Sequence, residues 1–292
     1  YSFTVTSAAP ANCVSATGTV TVSVNVPPTI TVPASATPGT ICAGGSTQLS
    51  VTASAPGYVL GSGGSSFVDI SGSGTPVPSV PDPIGDDSEH AITIPGAGFT
   101  YNGINYVNAL VGNNGAMVFG VSTGTITFSN TALPTATFGG AGAVGLAPFW
   151  DDLDTEPGVT QIYTQQVGDL FIIQWDKVAH LSNTLGQDIT FQAQLNTVTG
   201  AIYFVYADVI FGGTQSALDA GLSATVGLNF SSTEALQYSF NTTSLTNGQV
   251  ISFTPGAPSY SWDNASLLDN SYIANPIASN VLSGTNFTVT AS

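Results

Sequence analysis

The sequence echoes itself near its two ends: residues 2–8 read SFTVTSA and residues 286–292 read NFTVTAS. In both, Phe and Val alternate with Thr, the period-2 pattern of a β-strand with one face in a core and one in water. A strand that recurs at a distance marks a repeated β module, and a repeat changes how every other segment is read. The two echoes imply a chain cut out of phase with its repeats. The first echo closes one module; the second belongs to a module whose last strand has the sequence type of Thr19, Val20, Val22, Val24 and Val26.

The rest of the pattern is also β. Across residues 1–26 the alternating valines continue to Pro27-Pro28, a pair that ends ladder pairing and stiffens a connector. Residues 29–56 start again, with one short strand at Ile30 and Val32 and another carrying Leu49, Val51 and Ala53 on one side. Farther on, strands are expected at 99–107, 117–121, 161–167, 170–175, 189–195, 201–209, 224–230, 236–240 and 250–253. Asn114-Gly115, Gly168-Asp169, Thr199-Gly200 and Asn247-Gly248 supply turns between them. Strands at this spacing with no long amphipathic helix argue for an antiparallel sandwich or jelly roll. Only a short helical turn is expected, at 214–223.

Charge narrows the function. Lys177 is the single basic side chain against 17 acidic ones, for a net charge of −16, and only 6% of residues are charged. Such a chain cannot neutralise phosphates, so nucleic acid is excluded as a partner. No apolar run reaches the ~18 residues of a bilayer span.

Between residue 57 and Trp262 lie about two hundred residues edged by Gly/Ser/Pro stretches, GYVLGSGGSS and SGSGTPVPSVPDPIG before and PGAPS after, which read as flexible. The expected organisation is therefore threefold. Residues 1–26 are the closing strands of a preceding module. Residues 27–57 and 258–292 form one discontinuous module that lacks its last strand. Residues 58–257 are a domain inserted into one of its loops.

The run ICAGGSTQLSVTAS (41–54), with SYSWDNASLLDNSYIANPIASNVLSGTNFTVTAS (259–292), resembles the immunoglobulin-like repeats of giant surface adhesins of Bacteroidota, gliding-motility adhesins among them. Cys42, Trp262, residues 268–276 and residues 285–290 take the places of that repeat's first Cys, its Trp, its Leu-to-Asn-Pro segment and its Thr-x-Phe-Thr-Val-Thr strand. The second Cys and the valine-rich strand have their counterpart in Cys13 and GTVTVSVNV. Within the insert, NGAMVFG (114–120), LAPFWDDLDT (146–155), FIIQWDKV (171–178) and ITFQAQLNTVTGAIYFVY (189–206) resemble the nidogen-like extracellular domain.

These resemblances imply an all-β fold, immunoglobulin-like sandwich modules carrying a large inserted antiparallel sandwich, and export to the cell surface. They also imply that Cys13 and Cys42 each form a disulfide with a neighbouring repeat, in an oxidising compartment. A Cys13–Cys42 bridge within the chain is the alternative.

Three constellations bear on chemistry. Asp151, Asp152, Asp154 and Glu156 alternate on a loop after a strand and would ring Ca²⁺ with oxygens, although the spacing lacks the Gly and distal Glu of an EF-hand. A solvated acidic turn is the alternative. Asp82, Asp86, Asp87 and Glu89 form a second acidic loop. Tyr101, Asn102, Asn105 and Tyr106, around Gly103 and Ile104, would present a sugar-binding face, since rings stack on sugars and Asn both donates and accepts. His90 and His180 stand alone, without a zinc spacing. No nucleophile elbow or Ser/His/Asp order stands out. The expected function is non-catalytic: a structural repeat of an extracellular adhesin or filament, partnered by neighbouring repeats or subunits. The alternative is a module that binds surface polysaccharide or protein.

Overall fold

The computed structural model describes residues 2–5, 16–19, 28–55, 57–77, 86–155, 159, 161–181 and 186–292. The chain is all-β and divides into two compact units, one of residues 1–53 and 258–292, the other of residues 54–257. The larger unit thus interrupts the smaller one.

The smaller unit contains β1 (Ser2–Val5), β2 (Ala16–Thr19), β3 (Thr29–Thr37) and β4 (Gly45–Ser54). The larger begins with β5 (Tyr58–Ser62), β6 (Thr75–Pro76), β7 (Glu89–Thr93), β8 (Phe99–Tyr101), β9 (Ile104–Tyr106), β10 (Asn108–Gly112) and β11 (Met117–Phe119). It continues through β12 (Gly145–Trp150), β13 (Leu153–Asp154), β14 (Ile162–Val167), β15 (Leu170–His180), β16 (Asp188–Asn196), β17 (Ile202–Asp208), β18 (Thr225–Asn229), β19 (Ala235–Phe240) and β20 (Val250–Pro255). The chain then returns to the smaller unit with β21 (Tyr260–Trp262), β22 (Ile277–Val281) and β23 (Val289–Ala291).

In the larger unit β19-β18-β12-β11-β10-β7 form one sheet, and β5-β20-β17-β16-β15-β14-β6 form another that β13 joins beside β15. Alternation explains the second sheet. Phe171, Ile173 and Trp175 of β15, Phe191 and Leu195 of β16, and Phe204 and Tyr206 of β17 line one face. They meet Val111, Met117, Phe119, Leu146 and Val226 from the first sheet across a single buried core, the arrangement of a face-to-face sandwich. Trp175 stacks on Phe191 with ring centroids 5.0 Å apart. Two polar contacts cross between the sheets: Trp175 Nε1 donates to the Gly112 carbonyl at 3.0 Å, and the Tyr206 hydroxyl to that of Pro148 at 2.7 Å.

The outward faces are covered as well. On the second sheet, Gln174, Gln192 and Gln194 stand in a row and are fully buried. Gln194 Nε2 donates to Gln192 Oε1, and Gln192 Nε2 to Gln174 Oε1, each at 2.7 Å. The row also grips the segment that follows β5. Gln192 accepts from the Val68 N–H and donates to its carbonyl, Gln194 donates to the Ser66 carbonyl, and Gln174 accepts from the Ile70 N–H. Of the stretches 57–66 and 71–85, expected to be flexible, the first supplies the edge strand β5 and the start of a strap held across the sheet, and residues 78–85 of the second lie outside the described residues. On the first sheet, Leu110, Val118, Ala147 and Trp150 pack against Ile126, Leu133, Phe138 and Ala141 of the long segment between β11 and β12.

Most expected strands form. Strands of the larger unit that alternation did not reveal are β5, β6, β7, β13, β10 and β12. The last two are buried on both faces and read as continuous apolar runs, GLAPFW even containing a proline. The expected strand 99–107 is a hairpin, because Asn102 (φ 48°) and Gly103 (φ 82°) make the left-handed turn that joins β8 to β9. Near 214–223 a 3₁₀ segment forms, Gly213–Gly221, kinked at Asp219 and Ala220.

In the smaller unit β22-β4-β3 form one sheet, β21-β23 a second and β1-β2 a third. Leu49, Val51, Trp262, Ala278 and Val281 make its core, with Phe287 and Val289 packed beside them. Trp262 Nε1 donates to the Ile273 carbonyl at 2.9 Å.

Three substitutions test this account. Gln192→Leu leaves both polar groups of Val68 and both neighbouring glutamines short of partners. It should cost about 2–4 kcal/mol in a denaturant titration. Gly115 has φ 67°, and a Cβ there would collide with the Phe149 carbonyl oxygen, so Gly115→Ala should be more damaging than Gly168→Ala, where the space is open. Equal losses for the two glycine variants would refute the close approach of β11 and β12 at that turn.

Candidate functional site

The acidic loops that stand far apart in the sequence come together in the larger unit. β12 ends at Trp150, and the chain turns through Asp151 and Asp152 into the short β13, whose Leu153 pairs with His180 at the end of β15. Asn114 at the β10–β11 turn ties the loops: its Nδ2 donates to Asp87 Oδ1 at 2.9 Å and its Oδ1 accepts from the Leu153 N–H at 3.1 Å. Glu89 accepts the Ile126 N–H at 2.7 Å and so anchors the cover of the first sheet.

Asp151 is the buried member. It accepts from the Ser223 hydroxyl and from the Asp152 N–H, and one oxygen stands 3.7 Å from His180 Nε2. On the other side of the ring, His180 Nδ1 faces the Leu181 carbonyl at 3.2 Å, a contact in which Nδ1 must carry the proton. Burial works against the charged ring, but the Asp151 carboxylate outweighs it and the His180 pKa is raised. The Asp152 pKa is also raised, first by burial and then by Asp86, Asp87 and Asp151, with His180 opposing. Burial and the Asp87 charge raise Asp86, and burial with Asp87 raises Glu89 against its bond to Ile126.

What this cluster can do is limited by its order. In a nucleophilic triad the imidazole stands between hydroxyl and carboxylate. Here the carboxylate stands between Ser223 and His180, so the hydroxyl bonds the carboxylate and not the imidazole. The Ca²⁺ expectation for Asp151, Asp152, Asp154 and Glu156 is not met among the described residues. No group of three or more His, Cys, Asp or Glu side chains there converges as a metal would require. The oxygens of Asp151 already serve Ser223, Asp152 and His180, Asp154 lies in β13 opposite Ala179, and Glu156 lies outside the described residues.

The sugar-binding face also needs correction. The hairpin turn at Asn102-Gly103 folds the segment back, so the four residues do not share a surface. Tyr101 is 0% exposed and its hydroxyl donates to the carbonyls of Gly145 and Asn229. Tyr106 packs on Phe119 at 5.3 Å, Asn102 accepts the Gly57 N–H, and Asn105 donates to the Ala97 carbonyl.

The smaller unit offers a different feature. Beside its core opens a cleft of about 350 Å³, lined by Ile41, Leu49, Val281, Leu282 and Phe287 among others. Cys42 is exposed between two of the residues that line it, Ile41 and Ala43, and its thiol is free among the described residues. Cys13, Val20, Val22, Val24 and Val26 lie outside the described residues, and Thr19 ends β2. Sequence reasoning did not single out the cleft, because its walls come from segments some 240 positions apart.

Fold and site together define an all-β protein in which a large antiparallel sandwich interrupts a smaller β unit. Residues 57–260 match the model of the family described as NIDO related, and the chain belongs to that family. No curated protein and no solved structure matches the chain. No helix among the described residues is long and apolar enough to cross a membrane.

The raised pKa values set a pH dependence. A group whose pKa is higher in the folded state holds its proton more tightly there. Its stabilisation is complete below the unfolded pKa and is lost as pH rises through the folded one. For Asp86, Glu89 and Asp152 that loss begins above the ordinary carboxylate range, and for His180 above the ordinary imidazole range. The melting temperature should therefore fall between mildly acidic pH and pH 8, and His180→Gln should flatten the part of the curve near neutrality. A profile that rises toward pH 8 would contradict these shifts.

Proposed function

We propose that the chain is a non-catalytic structural module of a large extracellular bacterial surface adhesin or filament, of the kind its sequence resembles in Bacteroidota gliding adhesins. In this reading the smaller unit is an immunoglobulin-like repeat of the stalk, and the NIDO-related unit is a side domain inserted into one of its loops. Cys13 and Cys42 pair with neighbouring repeats, whose contact the stalk requires.

The observation that carries the reading is the apolar surface of the smaller unit. All nine residues of β3 are exposed, Ile30 at 44% and Val32 at 54%, and Leu282 beside the cleft is 77% exposed. Scattered exposed hydrophobics need no explanation, but several on one small unit with an open cleft suit a surface that a neighbour covers. The polar groups of the larger unit are largely engaged in holding its own straps and turns, which suits a scaffold.

Antibodies against the chain should label intact source cells, and mild external proteolysis should remove the signal. Labelling only after permeabilisation would overturn the surface assignment. Specific, saturable binding of the whole chain on a glycan array would instead favour a polysaccharide-recognition role.

A further inference from the structure

We propose that residues 57–69 form a clip that peels from the larger unit, ahead of its sandwich core, when the chain is pulled at the two points where it enters and leaves that unit. The peel is a property of the larger unit alone. Its use, as a short reserve of length in a stalk under load, rests on the surface reading above.

Entry and exit lie at one end of one ladder. β5 and β20 are antiparallel, with Tyr58 opposite Pro255 and Ser62 opposite Ile251. The Gly256 N–H donates to the Gly57 carbonyl, and the Gly63 N–H to the Val250 carbonyl. Residues 57, 59, 61 and 63 therefore turn their backbone groups toward β20, in bonds that lie across the strands. A pull at Gly57 and Gly256 acts along those bonds and loads the terminal pair first. The ladder then parts pair by pair, whereas a pull on its opposite ends would load every bond together.

The two strands are not equally held. β20 pairs with β5 on one side and with β17 on the other, and its Ile251 and Phe253 are buried. β5 is the last strand of its sheet, and its four residues after Tyr58 are exposed. From Val59 to Asp69 every residue is exposed or half-buried. Beyond β5 the stretch is held by side-chain amides rather than by apolar burial. Gln194 accepts the Ser65 hydroxyl and donates to the Ser66 carbonyl, and Gln192 holds both backbone groups of Val68. Under load β5 yields and β20 stays.

The peel has a start and a stop. At the start, the Gly57 N–H donates to Asn102 Oδ1 at 2.7 Å, and the Tyr58 ring stacks on Phe230 at 6.0 Å and tilts against Tyr101 at 5.7 Å. This clasp sets the force at which the clip opens. At the stop, Ile70 is 1% exposed, and its carbonyl accepts the N–H groups of both Ser73 and Gly74. Gln174 holds the Ile70 N–H and donates to Asp69 Oδ1 at 3.0 Å. Residues 57–69 then release roughly 45 Å of extended chain. Peeling wets Gln192 and Gln194, whose amides bond water once the clip is off, and leaves the buried core between the sheets closed. The clip therefore closes again when the load falls.

The full chain, with Cys13→Ser and Cys42→Ser, is to be pulled in an optical trap by handles on Ala55→Cys and Ala257→Cys. The traces should show a first extension of roughly 45 Å that reverses on relaxation, followed at higher force by one of roughly 650 Å as the rest of the unit unravels. Asn102→Gly removes the Oδ1 acceptor while allowing the left-handed turn at φ 48°, so it should lower the force of the first step and leave the second unchanged. Moving the second handle to Thr246→Cys, an exposed position just before the opposite end of β20, loads the ladder lengthwise and should raise the first force.

A single large step with nothing before it overturns the proposal, and so does a first step that neither Asn102→Gly nor the moved handle alters. Hydrogen exchange on the unloaded wild-type chain is a second measurement, free of handles and variants. The amides of Val59, Gly61 and Val68 should share one level of protection, lower than that of Ile251 and Phe253, because the clip opens without the core. Equal protection across both sets overturns the proposal. A chain found only inside cells would leave the peel standing and remove its use in a stalk; a surface protein that unravels in one step would do the reverse.

Discussion

With one basic side chain in 292 residues, this protein cannot tie its loops down with ion-pair networks. Neutral amides do that work. Gln174, Gln192 and Gln194 form a buried row whose members bond one another and the backbone of the strap above them. Asn229, equally buried, accepts the Thr135 N–H and donates to the carbonyls of Thr135, Ala143 and Ser231. A side-chain amide both donates and accepts, so it can imitate a strand edge and satisfy an irregular segment laid across a sheet. The burial of both outer faces depends on this, since an unsatisfied buried amide costs more than a made bond contributes.

The two units use their polar and apolar groups in opposite ways. In the larger one each sheet has its inner face in a shared core and its outer face under a strap, and Trp175 and Tyr206 bond across the sheets. The smaller one has a slender core and leaves β3 and Leu282 exposed.

The acidic cluster belongs to the closed unit and acts there as a fastening. Asn114 joins the loop bearing Asp87 to β13, and Asp151 joins the end of β12 to Ser223 and His180. Gathering carboxylates in this way has an electrostatic cost that a lone imidazole offsets only in part, which is why the protonation of the cluster and the stability of the fold are linked.

Much of the strand content, the NIDO-related character of the insert and the echo that relates β1 to the segment of β23 are legible in the residues alone. Each follows from local chemistry: alternation, turn-forming Asn-Gly pairs and short strings of residues. Local chemistry did not reveal β10 and β12, because a strand buried on both faces loses its alternation. It misjudged Tyr101, because the turn at Asn102-Gly103 sends that ring into the core, and it read Ca²⁺ into Asp151, Asp152 and Asp154, because spacing along the chain does not say which oxygens already have partners. The strap over the glutamines, the meeting of the two acidic loops and the cleft beside Leu282 emerge only when the chain is packed. Each depends on which distant segments come to lie against one another, and the burial and hydrogen bonding that fix that choice are properties of the packed sheets rather than of any stretch of sequence.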